Sequence, residues 1–167
     1  MTLAASGDSG VDGADGDSRT IIDDDYDGAT IKDRATMGMV RVGTHNVLVV
    51  DDDDMIREVA KVALESVAGW QVTTAHNGEE ARRLASQQHL DLVLLDVMMP
   101  ALDGPSTAAL LRADSMTREL PVIFLTAKTS MTAEQLDRPN LLGVISKPFD
   151  PMSLADQIKR IAGWTGE

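Results

Sequence analysis

Acidic residues crowd one point of this chain: Asp51, Asp52, Asp53 and Asp54 follow one another directly after the aliphatic run Val47-Leu48-Val49-Val50. A further aspartate, Asp96, ends the run Leu92-Val93-Leu94-Leu95, and two other apolar runs end in Thr126-Ala127 and in Ser146-Lys147-Pro148. Asp53 and Asp54 read as the cap and first turn of a helix, where carboxylates satisfy free N–H groups and oppose the helix dipole. Asp51 and Asp52 carry more chemistry if the fold sets Asp96 across from them. Two carboxylates about 4 Å apart repel by on the order of 1 kcal/mol in water and by several times that near a protein surface. Three that converge ask for a cation, and an oxygen-only set without His or Cys suits Mg²⁺ better than Zn²⁺. Mg²⁺ and the Lys147 ammonium together bring such a site close to neutral; without them an incoming phosphoryl group meets a strongly negative field. An aspartate so placed can accept a phosphoryl group covalently as an aspartyl phosphate, with the Thr126 hydroxyl donating to a phosphoryl oxygen.

The elements that must position these residues alternate along the chain. Val47–Val50 reads as a strand, followed by a helix with Ile56, Val59, Ala60, Ala63 and Val67 at helical spacing. Gln71–Thr74, Leu92–Leu95, Val122–Leu125 and Gly143–Ile145 read as four more strands. Helices open on Glu79 and Glu80 after the turn His76-Asn77-Gly78, on Gly104-Pro105, and after Asp150 as N-cap with Pro151 in the first turn. The last of these sets Leu154, Ile158 and Ile161 inward. The helix between Thr126 and Lys147 is cut short by Asp137-Arg138-Pro139-Asn140 and spans about two turns. Five strand–helix units imply an α/β fold with a doubly wound, five-stranded parallel sheet. The first, third and fourth strands are continuous aliphatic runs, as strands buried on both faces are, whereas the second mixes Thr and Gln. That composition puts the second and fifth strands at the edges. The flavodoxin-like order 2-1-3-4-5 follows, with its topological switch between strands one and three, where chemistry gathers at the carboxyl ends.

Composition bounds the rest. The chain has 167 residues, 27 acidic against 15 basic side chains, a formal net charge of −12 and no cysteine. That supports one packed domain, excludes disulfide, thiol and thiolate–metal chemistry, and argues against direct nucleic-acid binding through phosphate neutralisation. No apolar stretch approaches the roughly twenty residues of a membrane span, and the first residues lack a signal-type pattern, so membrane insertion is not expected and a cytoplasmic location is the default. Residues 1–44 hold nine Asp, seven Gly and four basic residues, with one aromatic, Tyr26. They read as a disordered acidic leader, 45–164 as the domain and 165–167 as a stub; translation from Met37 or Met39 is an open alternative.

With these motifs in place, the sequence resembles a response-regulator receiver domain of two-component signalling, in the CheY-like superfamily. The resemblance covers residues 46 to about 163 and rests on Val49-Val50-Asp51-Asp52, on Leu94-Leu95-Asp96-Val97-Met98-Met99-Pro100 with Asp103-Gly104, on Leu125-Thr126-Ala127 and on Ser146-Lys147-Pro148-Phe149. It implies that Asp96 is the phosphoacceptor and that Mg²⁺ is held by Asp52, Asp96 and the backbone carbonyl of Met98, with Asp51 acting through metal-bound water. It also implies that Thr126, Ala127 and Lys147 form the phosphoryl-binding switch, and that the Lys147–Pro148 peptide is cis. A single-domain response regulator is the expectation: phosphorylated on Asp96 by a sensor histidine kinase or a histidine phosphotransfer protein, and acting on an unknown protein target or as a phosphate sink. Such a protein is a switch that catalyses only its own phosphoryl transfer, not an enzyme with turnover.

One position departs from the family pattern, and two others bear on hydrolysis. Many receivers carry an aromatic three residues before the lysine, where this chain has Val144. Met98 and Lys128 stand where side chains flank the path of hydrolytic water, and a thioether orients water poorly, so self-dephosphorylation is expected to be slow. Two rivals stand beside this reading. One is a phosphorylation-independent interaction module with the receiver fold. The other is a Mg²⁺-dependent phosphohydrolase with Asp96 as nucleophile, which lacks a second acid–base Asp because position 98 is Met. A flavin site would need a phosphate loop after the first strand, where four aspartates repel phosphate. His45, His76 and His89 read as linker, turn and loop residues, and Trp70 and Trp164 as packing anchors.

Overall fold

The structure, a computed structural model, describes residues 44–127 and 131–164. Apart from Thr44, the expected leader lies outside the described residues, as do Met37, Met39, Lys128 and the stub 165–167. Among the described residues five strands, β1 (Asn46–Val50), β2 (Gln71–Ala75), β3 (Leu92–Asp96), β4 (Val122–Thr126) and β5 (Leu141–Ser146), alternate with five helices. These are α1 (Asp54–Ala68), α2 (Gly78–Gln87), α3 (Gly104–Ala113), α4 (Ala133–Leu136) and α5 (Leu154–Ala162). All strand pairs are parallel and the order is β2-β1-β3-β4-β5. The mixed strand β2 and the weak strand β5 are therefore the edges, as their composition requires.

Period-two alternation divides the aliphatic strands between two cores. Val47, Val49, Leu92, Leu94, Ile123 and Leu125 face one side with Leu64, Leu154 and Ile158 from α1 and α5. Leu48, Val50, Val93, Leu95, Val122 and Phe124 face the other with Ala81, Ala108 and Leu111 from α2 and α3. Every residue of β3 and β4 is buried, which is why those strands read as unbroken apolar runs. Local chemistry starts the helices where expected. Asp53 Oδ1 accepts from the N–H groups of Met55 and Ile56, Asn77 caps α2, Asp103 caps α3, and Thr132 with Gln135 closes a capping box on α4. Among the described residues no helix is long and apolar enough to cross a membrane.

Three expectations are corrected. The inward stripe of α1 is Ala60, Ala63 and Leu64, while Val59 and Val67 are exposed, because contact with α5 and the sheet selects a face slightly rotated from the one the valines suggested. Helix α5 begins at Leu154 rather than just after Asp150: Asp150 instead closes a separate turn, its Oδ1 accepting from Met152 N–H and its carbonyl from Ser153 N–H. Helix α4 is a single turn of four residues rather than about two turns, and on the edge strand β5 Val144 is 37% exposed and Leu142 is exposed too.

Candidate functional site

Register alone brings the acidic groups together. β1 and β3 pair Val50 with Leu95, so the next residues, Asp51 and Asp96, are neighbours at the carboxyl end of the sheet on either side of the topological switch. β4 and β5 pair Thr126 with Ser146, and the next residue is Lys147, whose N–H donates to the Thr126 carbonyl at 2.9 Å. One oxygen from each of Asp51, Asp52 and Asp96 lies within 4.8 Å of the other two. Asp51, Asp96 and Thr126 are buried; Asp52 is exposed at the mouth. Ala127 is exposed just past the end of β4.

Lys147 closes this cluster. Its Nζ lies 2.6 Å from Asp51 Oδ2 and 3.2 Å from Asp96 Oδ1, and the peptide joining it to Pro148 is cis. Burial works against the charged lysine, but the ion pairs with Asp51 and Asp96 outweigh it and hold the ammonium above the usual lysine range. Burial also pushes the Asp96 carboxyl up, to about 6, helped by the neighbouring Asp51 charge and opposed by Lys147. The Met98 N–H donates to Asp96 Oδ1 at 3.3 Å, while the Met98 side chain is 66% exposed at the edge of the cleft. A carboxylate trio with oxygen donors alone, half buried and open on one side, fits a small hard divalent cation that keeps some of its waters.

Two residues gain importance that spacing did not show. Arg57, in the first turns of α1, donates through one guanidinium nitrogen to the Asp51 backbone carbonyl at 2.6 Å and pairs through the other with Asp54. Its sequence signal was a cation close to a helix N-terminus, where the dipole disfavours one. Gly104 read only as a helix start and motif member, yet its N–H bonds to the Val97 carbonyl, and a Cβ there would lie 2.4 Å from the Asp96 carbonyl oxygen. No histidine joins the carboxylate cluster among the described residues. His45 proves more than a linker residue: its ring stacks on Trp164 at 3.7 Å and meets Trp70 edge-on at 5.3 Å, at the opposite end of β1 from the cleft.

Comparison with known proteins agrees with this geometry. The sequence pattern of the response regulator receiver domain matches residues 47–159. Among curated proteins, the phosphate regulon transcriptional regulatory protein PhoB of Pseudomonas aeruginosa is 37% identical over 125 residues, covering 72% of this chain and 52% of that protein. The probable transcriptional regulator ycf27 of Cyanidium caldarium is 37% identical over 122 residues, covering 70% of this chain and 46% of the relative. The chain thus spans about half the length of these curated relatives. Among solved structures, chemotaxis protein CheY4 of Vibrio cholerae is 31% identical with a TM-score of 0.66, covering 71% of this chain and 98% of that one. The receiver domain of sensor histidine kinase PA1611 from Pseudomonas aeruginosa, solved with a magnesium ion coordinated in its active-site cleft, is 30% identical with a TM-score of 0.62, covering 72% and 98%. With a five-stranded parallel sheet in the order 2-1-3-4-5 and acidic groups and a lysine meeting at its carboxyl edge, the chain belongs to the response regulator receiver family of two-component signalling.

Proposed function

We propose that this chain carries a response-regulator receiver that accepts a phosphoryl group on Asp96 from a sensor histidine kinase or a histidine phosphotransfer protein. The observation that carries the reading is the Lys147 ammonium set between Asp51 and Asp96, a partly buried cation placed where a phosphoryl group on Asp96 would need one. In the transfer, the P–N bond of the donor phosphohistidine breaks and a P–O bond forms to an Asp96 carboxylate oxygen, so Asp96 must be deprotonated to attack. Asp52, Asp96 and the Met98 carbonyl would hold Mg²⁺, and Asp51 would act on it through water; the ion would supply positive charge against the transferring phosphoryl group. Thr126, the Ala127 backbone and Lys147 take the phosphoryl oxygens, and Lys147 must then turn from carboxylate to phosphoryl group. With Val144 in place of an aromatic and α4 reduced to one turn, the response is carried by the β4–α4 connection and its protein contacts. The output of this domain runs through protein contacts or phosphate storage, without direct nucleic-acid contact by the receiver itself, in the cytoplasm; the site is a switch, not a turnover enzyme.

The test is the intact mass of the full chain after incubation with acetyl phosphate, with and without Mg²⁺, for wild type and Asp96→Asn. A phosphate-sized gain that needs both Mg²⁺ and Asp96 is expected. No gain under any condition would overturn the reading in favour of a phosphorylation-independent module.

A further inference from the structure

Asp51 is held by each of its polar groups. Its N–H donates to the Ala75 carbonyl at 3.2 Å, its Oδ1 accepts from Asp53 N–H at 2.9 Å, and its Oδ2 faces Lys147. The fourth group, its backbone carbonyl, accepts from the Arg57 guanidinium at 2.6 Å. The other nitrogen of the same guanidinium pairs with Asp54, so one planar fork spans the turn from Asp51 to the first residue of α1. Asp52 is exposed and lies between two anchored neighbours, Asp51 and the N-cap Asp53; its placement therefore depends on the turn. The Arg57 side chain is only 17% exposed, although Asp54 is almost fully solvated. A surface ion pair with Asp54 contributes little to stability, and a cation near a helix N-terminus is disfavoured. The local rules that Arg57 breaks are offset by its hold on the carbonyl of Asp51.

We propose that Arg57 is a positioning residue for the cation site: by clamping the Asp51 carbonyl to Asp54, it fixes the β1–α1 turn in the geometry that sets the Asp51 and Asp52 carboxylates beside Asp96. This rests on the Mg²⁺-dependent phosphoacceptor reading. Charge and positioning act here in opposite directions. A guanidinium repels a divalent cation, so removing a merely electrostatic Arg57 tightens Mg²⁺ binding, whereas removing a clamp loosens it.

The test measures Mg²⁺ affinity of the full chain by calorimetry, together with the Mg²⁺ dependence of phosphorylation by acetyl phosphate, for wild type, Arg57→Gln and Arg57→Lys. Groups that orient metal ligands typically cost tenfold or more in affinity when removed. Arg57→Gln is expected to weaken Mg²⁺ binding about tenfold and to raise the half-saturating Mg²⁺ concentration equally, while the rate at saturating Mg²⁺ stays within about twofold. A fault in overall folding alone would not produce that split. Arg57→Lys keeps the charge but lacks the fork, and is expected to remain at least about threefold weaker than wild type; should Arg57→Gln not fold, this variant decides. Unchanged or tighter Mg²⁺ binding in Arg57→Gln, or wild-type affinity in Arg57→Lys, overturns the proposal. A wild-type chain that neither binds Mg²⁺ nor gains phosphate overturns the phosphoacceptor reading itself, and this inference with it.

Discussion

Lys147 Nζ lies 2.6 Å from Asp51 Oδ2, an ion pair between the residue after β5 and the residue after β1 that spans two intervening strands. The same ammonium reaches Asp96, so a single cation is shared by two buried carboxylates and leaves the cluster net negative. Removing one partner of such a group leaves uncompensated charge in a poorly solvated place, which costs more than the pair itself contributes. Lys147→Met is therefore expected to destabilise the fold by about 3 kcal/mol at neutral pH. Part of this should return on adding Mg²⁺, because the ion supplies the missing charge. Urea denaturation with and without Mg²⁺ checks both statements; a loss indifferent to Mg²⁺ would count against a shared cation site.

The Asp96 carboxyl, pushed up to about 6 mainly by burial, makes stability depend on pH in the direction opposite to a salt-bridged carboxylate. The folded state binds the proton more tightly than the unfolded chain, whose value is near 3.8. Stability from this group is thus lost as pH rises from 3.8 through about 6, and its charged form carries the full cost above that. Asp96→Asn removes the cost. Without Mg²⁺ it is expected to stabilise the protein by about 1–2 kcal/mol at pH 7.5 and by nothing measurable near pH 3.5. Thermal melts of both proteins across that range read the difference; a gain that does not shrink with acidity would show that the carboxyl is not perturbed by burial.

Much of this was legible in the sequence, for a physical reason. A strand buried on both faces has to be aliphatic throughout, so the polar residue that ends each run marks the sheet's carboxyl edge, and Asp51, Asp96 and Thr126 could be placed there directly, with Lys147 after the shorter apolar run of the edge strand β5. Which face of α1 turns inward was not legible, because Val59 and Leu64 are equally apolar and only packing against α5 decides between them. The Arg57 clamp was hidden because its acceptor is a backbone carbonyl, which no side-chain pattern reports. Asp150 misled because an aspartate caps an isolated turn as well as it caps a helix.

Gly104 is required by close approach. A Cβ there would lie 2.4 Å from the Asp96 carbonyl oxygen and 2.8 Å from the Val97 Cα, both backbone atoms that cannot step aside. Gly104→Ala is expected to destabilise by about 2–3 kcal/mol, as overpacking does. It should also weaken Mg²⁺ binding, since the displaced backbone carries Asp96. Calorimetric titration of the folded variant measures the second effect; unchanged affinity would show that the strand end absorbs the strain without moving the carboxylate.

Ala101, in the same β3–α3 connection, has a φ of 67°, in the left-handed region where a Cβ meets the following carbonyl. Glycine relieves that strain but gives the unfolded chain more freedom, and the two effects nearly balance. Ala101→Gly is expected to be neutral to about 1 kcal/mol stabilising, where the same change inside a helix would cost a similar amount. Chemical denaturation reads the sign, and a clear destabilisation would mean that the methyl group makes a packing contact outweighing the strain.

Met98 bears on how long a phosphoryl group would last. Its N–H donates to Asp96 Oδ1 while its side chain is exposed, so a water that attacked phosphorus at Asp96 from that side would meet a thioether, which could hold it only weakly. Hydrolysis needs that water oriented and its proton accepted, and a carboxamide at the same position could do the first. Wild-type phosphoprotein is therefore expected to persist for on the order of minutes or longer in Mg²⁺ buffer, and Met98→Asn to shorten its life at least about threefold. Intact mass followed over time after removal of the phosphodonor gives both rates. A wild-type lifetime of seconds, or one unaffected by the substitution, would place control of hydrolysis elsewhere, with the Thr126 and Lys147 side chains the next groups to vary.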